Sequence, residues 1–338
     1  MMEKKSLMKI MYYVTDHGLG HATRTVAIVR EFLRRHGEVV IRSNDPLSVL
    51  RKSLPTVKIA PGTTDFSPIM NKSNNMKIDR PATQKNVTKW IDSIPSLIDY
   101  ENRLVEKERP DLIVSDVSIM PILLAKKRQL KSVVISNFVW SDTLPIDNKS
   151  RSFFERGYAE ADLIIRLPFG SPMDFPNRVD SGLVARSLTQ SRSEVRKHLE
   201  LTDDQILVTI AIRGIERIQS TQDTKVVDAS NYSGDAKFDS SIFVEGQNLI
   251  NASDFVVCKC GYGFASECVA YGTRFLYLLE PEHKEALYIH EGLTEIGLGG
   301  NMITPRDVAK LDRVMLENSK SRRMPTDNSG VADLIEKL

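Results

Sequence analysis

The feature that most restricts the fold of this chain is a rhythm. Short apolar runs alternate with amphipathic helical patterns, and most runs end on a polar residue or a glycine turn. Ile10–Thr15, Val39–Arg42, Asp111–Ser115, Ser132–Ser136 and Leu163–Leu167 read as strands. Such runs separated by helices imply stacked β-α-β units and a parallel sheet. Pro110 stops a helix just before the strand at Asp111. A second series begins near Val184. It has a helix over Ser193–Leu199, a strand buried on both faces over Ile206–Ile212 and a short strand over Lys225–Ala229. A helix over Val244–Ala252, a strand over Phe255–Lys259, a helix over Ala265–Tyr271, a strand over Arg274–Leu279 and a helix over Glu285–Ile296 follow. The polar, aperiodic stretch Thr63–Thr83 reads as a long surface loop, and Pro168–Val184 as a linker. A length of 338 residues suits two domains. The expectation is an α/β fold of two doubly wound, Rossmann-like domains facing each other across a cleft. The first covers 1–178 and the second 179–322, with a tail over 323–338 returning to the first.

Composition enters by exclusion. Lys plus Arg number 46 against 44 Asp plus Glu, and this near balance excludes a protein that coats nucleic acid. The first 180 residues carry +7 and the remainder −5. A basic front half suits an anionic or lipid-linked acceptor and peripheral contact with a membrane, although plain drift of surface charge explains it as well. No stretch approaches the roughly 18 apolar residues of a membrane helix, and the N-terminal segment lacks a signal-peptide cleavage pattern. Cys258, Cys260 and Cys268 are too few and too close for a disulfide framework, which points to a reducing, cytoplasmic setting. Cys258 and Cys260 alternate across a strand, so they read as small core residues.

Ligands of open parallel sheets bind beyond the carboxyl ends of the strands. Four such ends carry polar groups here: the segment from Asp16 through His17, Gly18, Leu19, Gly20 and His21 to Arg24; Ser43-Asn44-Asp45; Asp116; and Asn137. Gly18 and Gly20 permit a tight turn that puts His21 at the start of a helix. A histidine there can accept a proton if its ring is oriented, and Asp116 is the natural orienter. Taken singly, His21 reads as readily as a packing residue and Asp116 as a helix N-cap. The turn lacks the third glycine of a dinucleotide fingerprint, while Asp45 keeps a nicotinamide reading open. His17 and His21 have a zinc-like spacing without a third ligand, and no phosphate-binding GxxxxGK[ST] loop occurs. No metal and no resident cofactor are expected.

In the second half, Phe255–Lys259 runs into Cys260, then Gly261-Tyr262-Gly263, and then a helix carrying Glu267. Backbone N–H groups at such a helix start suit a diphosphate. Glu267, about one turn in, is placed to accept from two vicinal ribose hydroxyls. The plainer reading is that the glycines only permit the turn and Glu267 completes a surface helix.

VVCKCGYGFASECVAYG and HGLGHATR resemble the donor-binding segment and the glycine–histidine turn of GT-B-fold glycosyltransferases. YYVTDHGLGHATR, LIVSDV, SVVISNFVW, LIIRLP, RSEVRKHL and GYGFASECVAYG are similar, in the same order, to the glycosyltransferase-like N-terminal half of plant arabinokinases, over roughly residues 10–300. The resemblance implies that His21 is the base and Asp116 its partner, with His17, Gly18, Gly20, Arg24 and Asn137 on the acceptor side. It implies a diphosphate turn at Gly261, Tyr262 and Gly263, and a ribose ligand at Glu267. Departures are specific. Ile212-Arg213-Gly214 replaces a glycine pair, which makes Arg213 a candidate phosphate ligand. Lys259 and Phe264 replace a histidine and a serine of the motif. The usual acid–glutamine pair for the donor sugar gives way to Glu280-Pro281-Glu282-His283-Lys284-Glu285, leaving Glu282, His283 and Glu285 as candidates. The implied activity is inverting, metal-independent transfer from a nucleoside-diphosphate sugar, uridine-linked, to an unknown acceptor hydroxyl. The nucleotide sugar is a co-substrate, not a cofactor. A nucleotide-sugar epimerase or hydrolase, or a catalytically silent nucleotide-sugar-binding module, are the alternatives on the same fold.

Overall fold

The computed structural model describes residues 8–15, 18–44, 47–71, 77–212, 220–229, 244–308 and 310–338. The chain divides into two compact units. One comprises Met1–Val184, Glu282–Lys284 and Asp327–Leu338; the other comprises Ala185–Pro281 and Glu285–Thr326.

The first unit runs β1 (Lys9–Val14), α1 (Leu19–Arg34), β2 (Glu38–Ser43), α2 (Leu47–Ser53), β3 (Lys58–Pro61), α3 (Arg80–Glu108), β4 (Leu112–Asp116), α4 (Met120–Arg128), β5 (Lys131–Ser136), α5 (Trp140–Thr143), α6 (Asn148–Ala159), β6 (Leu163–Arg166) and β7 (Arg178–Asp180). Its sheet has the order β3-β2-β1-β4-β5-β6-β7, and every pair is parallel. β1 and β4 lie side by side with Val14 opposite Asp116. Helices on both faces explain why the central strands are unbroken apolar runs instead of alternating ones. The core includes Met11, Tyr13, Trp90, Ile113, Phe138 and Phe154.

Each run read as a strand is a strand, to within one or two residues, and α3 ends at Arg109, in a left-handed conformation, just before Pro110. Two expectations of the first half change. The stretch Thr63–Thr83 gives its last residues to α3, which starts because the Asp79 carboxylate accepts from Ala82 N at 3.0 Å and Pro81 sits in the first turn. Pro168–Val184 carries β7, which extends the sheet beside β6. This edge strand is three residues long and mostly exposed, so it leaves no apolar run to detect. The division between the units accordingly falls after Val184 instead of after residue 178.

The second unit runs α7 (Arg192–His198), β8 (Ile206–Ala211), β9 (Thr224–Asp228), α8 (Gly246–Ala252), β10 (Phe255–Lys259), α9 (Tyr262–Tyr271), β11 (Arg274–Leu278), α10 (Lys284–Glu295), β12 (Met302–Ile303), α11 (Pro305–Val308) and α12 (Arg313–Asn318). Its parallel sheet has the order β12-β11-β10-β8-β9. The chain closes with α13 (Asn328–Glu336), which belongs to the first unit and packs on α1. Arg35 anchors it by donating to Asp333 at 2.5 Å and to the Ser329 carbonyl at 2.9 Å. Among the described residues no helix is long and apolar enough to cross a membrane.

Candidate functional site

The parallel order of the first sheet sets all its carboxyl ends on one edge, and four of the polar residues singled out there, His21, Arg24, Asp116 and Asn137, meet. Gly18, which precedes α1, has φ +82°, a conformation costly for any other residue. A Cβ at Gly18 would meet nothing within 4 Å, so the demand is conformational and not steric. One turn later the buried His21 ring places Nδ1 2.9 Å from Asp116 Oδ2. Arg24, a further turn along the same face, donates from Nε to Asp116 Oδ1 at 2.9 Å. Its terminal nitrogens donate to Asp116 Oδ1, to Asn137 Oδ1 and, at 3.2 Å, to Ser136 Oγ. Arg24 Nη2 also approaches His21 Nδ1 to 2.5 Å. The guanidinium thus joins α1 to the ends of β4 and β5. Gly20 contributes its carbonyl, which accepts from Thr23 Oγ1 at 2.9 Å.

The cluster is dry: Asp116 and Asn137 are fully buried and Arg24 is 2% exposed. Burial raises the Asp116 carboxyl, but the Arg24 cation and the His21 ring outweigh it and hold the group below its ordinary value. Phe138 packs edge-on against His21, with ring centroids 5.7 Å apart. Arg24 and Asn137, which the resemblance puts on the acceptor side, also hold the His21–Asp116 pair. The reason is electrostatic, because a buried carboxylate next to a ring needs a cation and that cation needs oxygen acceptors. Ser136 and Phe138 belong to this cluster and were not singled out from the sequence. Their signal was available as the two residues flanking Asn137.

Backbone strain falls on the same edge. Among the described residues, His36, Arg109, Gln129 and Glu200 have positive φ at helix C-termini, where it is ordinary. The remaining non-glycine cases, Val117, Phe169 and Met173, follow β4 and β6. Val117 is β-branched with φ +74°, and its carbonyl accepts from the buried Tyr158 hydroxyl at 2.5 Å. Strain of this kind persists where surrounding structure over-determines it, and it collects at functional sites.

In the second unit, β10 leads through Cys260 to Gly261 and α9. No side chain caps that helix start, and the space beside Gly261 is open. Tyr262 is buried. Lys259, at the end of β10, donates to Glu280 Oε1 at 2.8 Å. Glu267 does not complete a surface helix, as its plainer reading had it. It is 2% exposed, and its two oxygens accept from Arg186 Nε at 2.6 Å and Nη2 at 3.0 Å. An unpaired carboxylate at that depth would be costly, and the arginine resolves it. Nothing in the local spacing pointed to Arg186, which lies 81 residues away in sequence. Cys258, Cys260 and Cys268 are free and buried, and burial pushes each thiol upward.

Glu282 forms an ion pair with Lys77 at 3.2 Å, and both belong to the first unit. His283 Nε2 is buried and has no hydrogen-bond partner among the described residues, and Glu285 lies in the first turn of α10. His17, Arg213 and Asp45 lie outside the described residues. Among the described residues no group of three or more His, Cys, Asp or Glu side chains is arranged to hold a metal ion.

Residues 8–173 match the family model for glycosyl transferase family 1. Over 319 residues the chain is 27% identical to an L-arabinokinase of Arabidopsis thaliana, covering 86% of this chain and 30% of that protein. The chain thus spans less than a third of the length of this curated relative. Its structure is similar to the Streptomyces sp. SF2575 glycosyltransferase SsfS6 complexed with thymidine diphosphate, at 14% identity, 98% coverage of this chain, 100% of that one and a TM-score of 0.59. It is also similar to MurG of Acinetobacter baumannii, at 15% identity, 98% and 100% coverage and a TM-score of 0.54. Likeness at these identities establishes the fold, that of the GT-B glycosyltransferases.

Proposed function

We propose that this chain, with its glycosyl transferase segment and GT-B fold, is an inverting, metal-independent glycosyltransferase. It would move a sugar from a nucleoside-diphosphate donor, uridine-linked, to an acceptor hydroxyl. The observation that carries the reading is the buried His21–Asp116 contact of 2.9 Å at the carboxyl edge of the first sheet. Arg24 has oxygen acceptors on three residues, whereas Asp116 Oδ2 has His21 as its described donor. On this reading the imidazole proton sits on Nδ1 and is donated to Asp116, which leaves Nε2 as the basic nitrogen.

In the reaction the acceptor oxygen attacks the anomeric carbon, and the bond from that carbon to the diphosphate oxygen breaks. The electron pair leaves with the diphosphate, and the acceptor proton passes to His21 Nε2. One displacement inverts the anomeric centre. The N–H groups and dipole at the start of α9 suit the charge developing on the leaving diphosphate, the role given elsewhere to a metal. The thymidine diphosphate in the complex of SsfS6 supports a nucleoside diphosphate as the donor class. Cytoplasmic action on an anionic or lipid-linked acceptor, with peripheral membrane contact, is the corresponding reading of the basic first half.

The test is nucleoside-diphosphate release from a panel of UDP- and TDP-sugars, with and without an acceptor panel, in buffer containing EDTA. Acceptor-dependent release with an inverted product anomer is expected. Release at the same rate without acceptor would make the protein a hydrolase, and binding without release would make it a silent module.

A further inference from the structure

We infer that Arg186 is a specificity-determining residue that makes the nucleoside site indifferent to the 2′-hydroxyl, so that ribo- and 2′-deoxyribonucleotides bind alike. This rests on the donor reading of the second unit. A carboxylate offers about four lone pairs, two on each oxygen. A guanidinium that binds through Nε and Nη2 takes one from each oxygen, on the outer side of the carboxylate where a pair of vicinal hydroxyls would also dock. Glu267 is bound in this way, at 2.6 Å and 3.0 Å, and among the described residues it has no other hydrogen-bond partner. A ribose cannot use the same side while Arg186 holds it.

The clamp is braced. Both side chains are nearly buried, at 5% and 3% exposure, and the Arg186 carbonyl accepts from the Tyr271 hydroxyl at the end of α9. Swinging the guanidinium aside would leave Glu267 buried without its cation. That cost opposes the motion more strongly than one neutral hydroxyl could favour it. The 2′-hydroxyl therefore finds no carboxylate ready to receive it, and the site draws its affinity from the base and the diphosphate.

The experiment is titration calorimetry of the full chain with UDP and 2′-deoxy-UDP, which differ only in the hydroxyl at issue. Dissociation constants within about threefold of each other are expected, since no hydrogen bond to a charged group is lost. Arg186→Lys replaces the fork by a single ammonium and releases one Glu267 oxygen. In that variant UDP should bind about tenfold or more tighter than its deoxy analogue, as a charged hydrogen bond confers. A tenfold preference for UDP in the unmodified protein would overturn the inference, and that measurement does not depend on the variant folding. Equal binding of the two nucleotides in a folded Arg186→Lys variant would overturn it as well, by removing Glu267 from nucleoside recognition. Binding of neither nucleotide, nor of TDP, by the unmodified protein would overturn the donor reading itself, a result distinct from unselective binding.

Discussion

Replacing Asp116 by asparagine removes the carboxylate on which two buried side chains converge. Arg24 directs Nε and Nη2 at one of its oxygens, and His21 lies against the other. With Asp116 fully buried and Arg24 2% exposed, solvent does little to screen the change. Removing one partner of a buried ion pair costs about 3–5 kcal/mol, because the remaining charge stays desolvated. Asn137 and Ser136 still accept from Arg24, which places the expected loss at the lower end of that range. For a unit of this size, roughly 2–4 °C of Tm is lost per kcal/mol, so 3–5 kcal/mol corresponds to about 6–20 °C. Differential scanning calorimetry of the full chain, following the transition that carries the Trp90 and Trp140 fluorescence change, measures it. The double variant Asp116→Asn, Arg24→Met completes the reasoning. Removing both charges should cost clearly less than the two single changes added together. A Tm shift below about 2 °C for Asp116→Asn, or strictly additive losses in the double variant, would refute the account of this cluster as a charge-compensated buried pair.

Other expectations follow from the same geometry. His21→Ala should lower kcat at least about 100-fold in the acceptor-dependent assay while leaving nucleotide affinity unchanged, as loss of a general base does; an unchanged rate removes His21 from the chemistry. Because the Asp116 carboxyl is held below its unfolded value, its contribution to stability is complete above about pH 4 and is lost as pH falls through the folded value. Acid titration of stability should therefore show a steeper acid limb in the unmodified protein than in Asp116→Asn. Gly18→Ala should cost about 1–3 kcal/mol in urea melts, because φ +82° with ψ 159° is a backbone conformation almost confined to glycine even though the added methyl meets no neighbour; an unchanged stability would refute that demand. All three thiols should resist an aromatic disulfide reagent in the native protein and react fully in denaturant.

Much of this molecule was legible in its sequence because the signals are local. An apolar run of five or six residues bounded by turn residues can only be a strand or a stretch of buried helix, and the helical periods between runs decide for the strand. That is why β1, β4, β5, β8 and β10 were found nearly to the residue. The turn before His21 was legible for a similar reason, since Gly18 meets a backbone demand that neighbouring residues impose. Segments without such a signal were misread. β7 has no apolar alternation, and the first turn of α3 lies inside a polar stretch where only Asp79 and Pro81 mark its start.

The sequence by itself determined that the chain is built of β-α-β units, that polar residues stand at strand ends and that a glycine turn opens a helix in each half. Only the tertiary structure decided which of those residues become partners. His21 meets Asp116 across 95 positions of sequence because β1 pairs with β4, an adjacency that chain order does not encode. Glu267, which its spacing offered to a ligand, is held by Arg186 from 81 positions away. Periodicity and turn chemistry act over a few residues and can be read there. The state of a buried charge depends on which distant segment supplies the counter-charge, and that is settled only when the sheets are assembled and water has been excluded.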